Sequence, residues 1–172
     1  MTDHPSPPRY ASEREFPSYA YVPGHNPHPT QDPAGHSHGH EPEEPAAYFE
    51  AERWCENSDY LFGVDLYNHG YLWEAHEAWE GIWHSARADE LQAGFLQGLI
   101  QCTAAALKLT MEQHRGLQRL SAMGVEKLDL VARLAGPRFM GLAVDEFTSA
   151  FRSFTDDEAA DADARPRIVL AD

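Results

Sequence analysis

The chain contains little cysteine and few basic residues, and each shortage excludes a class of protein. Cys55 and Cys102 are too few for a disulfide framework, and their separation does not fit a zinc ribbon. The 13 lysines and arginines are outnumbered by 28 aspartates and glutamates, which gives a formal net charge of −15. Nucleic acids and anionic membranes both attract cationic surfaces, so we expect neither as a partner.

Long apolar runs are missing as well. The longest run without a charged residue, 91–107, is shorter than the about 20 residues that cross a bilayer, and it contains Gln97 and Gln101. The amino terminus has no basic patch followed by an apolar run, so no signal peptide is expected. The G-x-S-x-G elbow, the glycine-rich phosphate loop and the dinucleotide fingerprint are also absent. Since 42% of the 172 residues are hydrophobic, we expect a single-domain, soluble and cytoplasmic protein.

Proline and histidine are concentrated in residues 1–45, which hold ten of the 12 prolines and six of the ten histidines. Proline fixes φ and removes a backbone donor, so this segment is predicted to be an extended, turn-rich arm. Two alternatives remain open for the arm. It packs on the core through its apolar side chains, or it is disordered like many proline-rich termini. The apolar side chains concerned are Phe16, Tyr19, Tyr21 and Val22.

The arm's histidines also leave two alternatives. The tract His36-Ser-His38-Gly-His40 has the composition of a metal-binding segment, and it also fits a solvated turn. If the arm folds over the rest of the chain, it could bring His25 or His28 to the histidines and glutamates of residues 74–84.

Residues 46–154 are predicted to be helical. The apolar periodicity and the capping residues indicate helices at 46–55, 58–68, 71–85, 89–113, 116–134 and 145–154. The short connections favour an all-α fold, an antiparallel bundle of about five to six helices that carries the extended arm. Residues 155–172 are predicted to be an acidic linker followed by a short apolar tail, which docks as an edge strand or on a partner.

One predicted helix concentrates chemically active side chains. At about 100° per residue, six side chains of residues 71–84 fall within an arc of roughly 120°. These six are Trp73, His76, Glu77, Glu80, Trp83 and His84. Imidazoles and carboxylates among tryptophans fit neither an ordinary solvent face nor an ordinary core face. The sequence therefore predicts the functional site here.

The same region resembles the family of domains of unknown function numbered 309. Members have the pattern N-x-G-x-[YF]-x-E-A-H-E-x-x-E-x-x-W, followed by Q-G-L-I-Q. In this chain the pattern reads Asn68, Gly70, Tyr71, Glu74-Ala75-His76-Glu77, Glu80, Trp83 and Gln97-Gly98-Leu99-Ile100-Gln101. The resemblance covers roughly residues 60–125. It implies a compact helical bundle and no established activity.

The site residues allow two interpretations. In the first, His76 and Glu80 face Gln97 and Gln101 in a buried polar network, because a buried carboxylate needs partners. Three tryptophans would shield that network from water, namely Trp73, Trp79 and Trp83. In the second, His76, Glu80 and His84 bind a divalent metal ion such as Zn, Fe or Mn, because successive side chains at i, i+4 and i+8 share a helix face.

We therefore expect a binding or interaction module with a small ligand or a protein as partner, and homo-oligomerisation is a further possibility. The alternative is a metal-dependent, hydrolase-like enzyme in which Glu77 is the general base. The expected ligand pocket combines residues of two helices. Its members are Trp73, His76, Glu77, Glu80, Trp83, Gln97 and Gln101.

Overall fold

A computed structural model describes residues 6–41 and 44–171 and shows a mostly helical protein. The order of elements is a 3-10 helix Ala51–Glu56, α1 Ser58–Asn68, α2 Leu72–Ser85, α3 Glu90–Thr110, α4 His114–Ala135, β1 Arg138–Phe139, β2 Leu142–Ala143, α5 Val144–Asp156 and a 3-10 helix Ala162–Ala164. The predicted all-α bundle is confirmed. Among the described residues, no helix is long and apolar enough to cross a membrane.

Most predicted helices appear within a few residues of their expected bounds. The Asp89 side chain accepts the Gln92 backbone N–H and caps α3. Gly70 follows α1 with a φ of +88°, a conformation that favours glycine. The expected helix at 46–55 is wrong in its first half, because regular structure begins only at the 3-10 helix Ala51–Glu56. Asn57 caps α1, since its side chain accepts the Tyr60 backbone N–H.

A small hairpin between α4 and α5 was not expected. β1 pairs with β2 in antiparallel register, and Leu142 forms an isolated antiparallel bridge with Leu170. The apolar tail thus lies beside the hairpin, joined to it by a single bridge and not by a strand. The Asn68 side chain fixes this tail, since it donates to the Ile168 carbonyl and accepts the Ile168 N–H, both at 2.8 Å.

The core lies where α1, α2 and α3 meet. Trp79, Tyr60 and Tyr67 are fully buried there, and the Trp79 indole N–H donates to the Tyr60 carbonyl at 3.3 Å. Gly63 makes room for this indole, because a Cβ at that position would lie 2.2 Å from Trp79 Nε1. A large aromatic side chain of α2 is thereby held inside the bundle, which fixes the rotation of α2 and of the polar residues on its other sides.

Helices α3 and α4 approach each other closely at two glycines, Gly98 and Gly124. A Cβ on Gly124 would lie 2.8 Å from Cys102 Sγ and 2.9 Å from the Gly98 carbonyl oxygen. Burial raises the pKa of the Cys102 thiol, so this cysteine remains protonated and packs as a core residue.

We expect Gly124→Ala to lower the free energy of unfolding by about 2 kcal/mol, because the added methyl group forces two helix backbones apart. Gly81→Ala is the matched control, since a Cβ there meets nothing within 4 Å. Alanine at that helical position should raise stability by about 1 kcal/mol. Urea unfolding measures both variants. Equal effects would show that the α3–α4 contact is not tight.

Candidate functional site

Helix α2 has three distinct sides. Its core side carries Trp79 and Ile82, which are 0% and 1% exposed. Its outward side carries His76 and Glu77, whose side chains are 29% and 47% exposed. On the third side Glu74, only 6% exposed, lies beneath the arm. The helix therefore offers an open polar surface and a covered carboxylate.

The outward side gathers three potential metal ligands. One ligand atom each from His76, Glu77 and Glu80 lies within 4.8 Å of the others, and His76 Nδ1 is 3.3 Å from Glu77 Oε1. We refer to these three residues as the α2 cluster. One imidazole nitrogen and two carboxylate oxygens form a donor set suited to a divalent ion of the zinc, iron or manganese class.

The α2 cluster differs from the predicted ligand set. His84 is exposed and outside the cluster, and its Nδ1 lies 2.6 Å from Arg87 Nη2. Glu77, which we expected to be a general base, is one of the three potential ligands. Adjacent residues 76 and 77 converge because both side chains are partly free in solvent and can turn toward each other.

The expected buried network with the α3 glutamines does not form. Among the hydrogen bonds of the described residues, none joins Gln97 or Gln101 to His76 or Glu80, although Gln101 Oε1 is buried without a partner. The core side of α2 explains this difference. At 100° per residue, Glu80 projects about 160° away from Ile82, the residue that points into the core.

The three tryptophans also have separate roles. Trp79 lies in the core, whereas Trp73 and Trp83 are partly buried. The Trp73 ring meets Tyr21 edge-on at 5.2 Å and His28 at 5.7 Å, so the arm covers it. On the other flank, the Arg87 guanidinium lies 4.6 Å from the centre of the Trp83 ring. These tryptophans do not enclose one common pocket.

The arm rests on α1 and α2, and Glu74 is one of its anchors. Glu74 Oε1 accepts the Tyr21 N–H at 2.8 Å and lies 3.0 Å from His36 Nε2. Both side chains of the His36–Glu74 pair are 6% exposed, and Glu74 Oε2 has no partner among the described residues. Burial raises the pKa of Glu74, partly offset by the bonds from Tyr21 and His36.

Asp65 is the second anchor. This α1 residue is fully buried, and its carboxylate accepts the backbone N–H groups of Tyr10 at 2.7 Å and Ala11 at 2.9 Å. The Arg9 guanidinium completes the site at 2.9 Å from Asp65 Oδ2. Phe16 extends the contact by stacking on Tyr71 at 4.9 Å. Of the two alternatives for the arm, the structure therefore shows packing on the bundle.

Sequence reasoning missed these anchors because it followed the imidazoles of α2. A signal for Asp65 was present, since it is a lone carboxylate inside the apolar run 63–67. The histidine-rich tract drew attention to His36 as a potential metal ligand, whereas the structure pairs it with Glu74. His28 does reach the predicted helix, through Trp73, but His25 is exposed.

A groove of about 510 Å³ lies beside the α2 cluster. Glu77 and His84 contribute to one wall, and the ion pair Arg14–Asp59, at 2.7 Å, lies on the other side. The groove therefore carries charges of both signs next to the potential ligands. Its remaining lining residues are Glu44, Pro45, Ala46, Ala78, Gly81 and Ser85.

Residues 60–120 match the family model described as Domain of unknown function (DUF309). Over these residues the chain is similar to that family. The match confirms the predicted resemblance and includes Asp65, Glu74 and the α2 cluster, but it excludes the arm and α5. No curated protein and no solved structure shows significant similarity to the chain. The two anchors of the arm thus lie within the matched residues.

We expect Asp65→Asn to lower the free energy of unfolding by about 2 kcal/mol or more, because two backbone N–H groups and a guanidinium lose a charged acceptor. Asp59→Asn is the matched control. It removes a partly exposed ion pair, which contributes about 0–1 kcal/mol. Urea unfolding measures both, and equal losses would refute the anchoring role of Asp65.

The raised pKa of Glu74 predicts a pH dependence. A carboxyl group whose pKa is higher in the folded chain binds more protons there, so its contribution to stability falls as pH rises above the ordinary value of 4.5. Glu74→Gln keeps an acceptor for Tyr21 N–H and removes the titration. Urea unfolding gives the free energy of unfolding of both chains at each pH. As pH rises above 4.5, we expect the free energy of unfolding of the unmodified chain to decrease relative to that of Glu74→Gln. A relative stability that increases with pH would contradict the assignment.

Proposed function

We propose that the protein is a divalent-cation-binding module in which the α2 cluster holds one ion. The observation that carries the proposal is the convergence of ligand atoms from His76, Glu77 and Glu80 within 4.8 Å. Two carboxylates and one imidazole offset the charge of a divalent ion and match the donor preferences of Zn, Fe and Mn.

The exposure of the cluster supports a role in ligand binding. Since the His76 and Glu77 side chains are 29% and 47% exposed, an ion held by them faces solvent on one side. Three protein ligands leave coordination positions for water or for a small anionic ligand. The neighbouring groove of about 510 Å³, which Glu77 also lines, offers space for such a ligand.

The same groove favours a second candidate, a metal-dependent hydrolase. In that case His76 and Glu80 would hold the ion, its chemistry would be to activate a bound water, and Glu77 would be placed to accept the proton of that water. The Glu77 carboxylate is close enough to the other two ligand atoms for this role. Glu77 is thus a ligand in the first candidate and a general base in the second.

Metal titration of protein prepared without a histidine tag tests the main proposal. We expect one Zn²⁺, Fe²⁺ or Mn²⁺ per chain by calorimetry and elemental analysis. His76→Ala should weaken binding by more than the roughly 10–100-fold that loss of an outer-shell partner causes. His84→Ala is the matched control, because this exposed histidine of the same helix lies outside the cluster and should leave affinity unchanged.

Two outcomes would contradict the proposal. The first is a chain that binds none of these ions. The second is binding that survives His76→Ala and disappears when His38 and His40 of the arm are replaced. Glu77→Gln then separates the two candidates. Loss of the ion supports the binding module, whereas a retained ion with loss of hydrolysis of nitrophenyl esters or phosphates supports the hydrolase.

A further inference from the structure

Helix α4 exposes an apolar stripe to solvent. Met123, Leu130 and Leu134 are 40%, 46% and 66% exposed, and they account for three of the five large hydrophobic side chains exposed among the described residues. The other two, Tyr48 and Val169, lie outside α4. Apolar surface concentrated on one helix is typical of a protein–protein contact.

The stripe has the spacing of a helix–helix seam. Its residues follow one another at intervals of three and four, which is the a/d repeat of packed helices. The seam consists of Leu120, Met123, Lys127, Leu130 and Leu134. A cavity of about 270 Å³ lies along it, lined by Met123, Glu126, Lys127, Leu130 and Arg133. A single lysine in an otherwise apolar seam favours one register and one orientation of the paired helices.

Charges flank the seam on one side only. Glu126 and Arg133 are exposed, lie seven residues apart and have no ion-pair partner among the described residues. The other flank carries Gly124 and Val131, which are buried against the bundle. In an antiparallel pair of α4 helices, Glu126 of each copy meets Arg133 of the other. In a parallel pair, Glu126 and Arg133 of one copy would instead lie opposite the flank of the other copy that carries Gly124 and Val131.

The charge of α4 also permits contact between two copies. The chain as a whole carries −15, which opposes self-association. Among the five α-helices, α4 alone has more basic than acidic residues. The basic residues of this helix therefore offset part of the negative charge of the chain where two copies would meet. Its four basic residues are Arg115, Arg119, Lys127 and Arg133, against the acidic Glu126 and Asp129.

We propose that two copies of this chain associate through α4 as an antiparallel, two-fold symmetric pair. Met123 of one copy packs on Leu134 of the other, Leu130 lies near the two-fold axis, and two symmetric Glu126–Arg133 ion pairs fix the direction. The surface involves a different helix from the α2 cluster, so the proposal is independent of metal binding.

Sedimentation velocity of the full chain tests this pairing. We expect a species of twice the 19.3 kDa chain mass that becomes monomeric in Leu130→Glu. Val169→Glu is the matched control, because it places the same charge on an exposed residue outside α4 and should leave the dimer intact. A monomeric unmodified chain, or a dimer abolished by Val169→Glu, would overturn the proposal.

A charge exchange tests the orientation without altering the apolar seam. Glu126→Arg and Arg133→Glu should each weaken the dimer about tenfold, because each brings like charges together across the two-fold axis. The double variant restores opposite charges and should recover the original dissociation constant. If the double variant is as weak as the single variants, the antiparallel pairing is wrong.

Discussion

A carboxylate removed from water must receive hydrogen bonds, and this requirement determines where the arm lies. Asp65 and Glu74 are buried on adjacent helices, and both bind backbone N–H groups of the arm. The backbone N–H groups of Tyr10 and Ala11 donate to Asp65, and that of Tyr21 donates to Glu74. Within residues 6–41 the proline-rich segment forms no helix or strand, and backbone N–H groups of this segment bind the two carboxylates instead.

The carboxyl-terminal tail is held by the same kind of contact. The Asn68 amide forms a pair of hydrogen bonds with the Ile168 backbone, and the Arg165 guanidinium donates to the Tyr67 carbonyl. Burial lowers the pKa of Arg165, and these carbonyl contacts compensate its desolvation in part. Helix α1 thus binds both flanking segments, one through Asp65 and the other through Asn68.

Helical periodicity and capping predicted the bundle well, because both are properties of neighbouring residues. The cap at Asp89 and the glycine after α1 are local signals of this kind. The positions of His76 and Glu80 relative to Gln97 could not be predicted in the same way. These positions depend on the rotation of α2 about its axis, which the packing of Trp79 in the core determines. Trp79 packs against Gly63 of α1, and a contact between two helices is not a property of neighbouring residues. The His36–Glu74 pair joins residues 38 positions apart for the same reason.

Hydrogen exchange of the unmodified chain tests the central claim, that buried carboxylates of the bundle hold the arm. The amides of Tyr10, Ala11 and Tyr21 are bonded to Asp65 or Glu74, whereas the exposed neighbours Ser12 and Glu13 have no such acceptor. We expect the three bonded amides to exchange as slowly as the core amides of α3, and those of Ser12 and Glu13 to exchange rapidly. Exchange of all five at the rate of an unstructured peptide would contradict it.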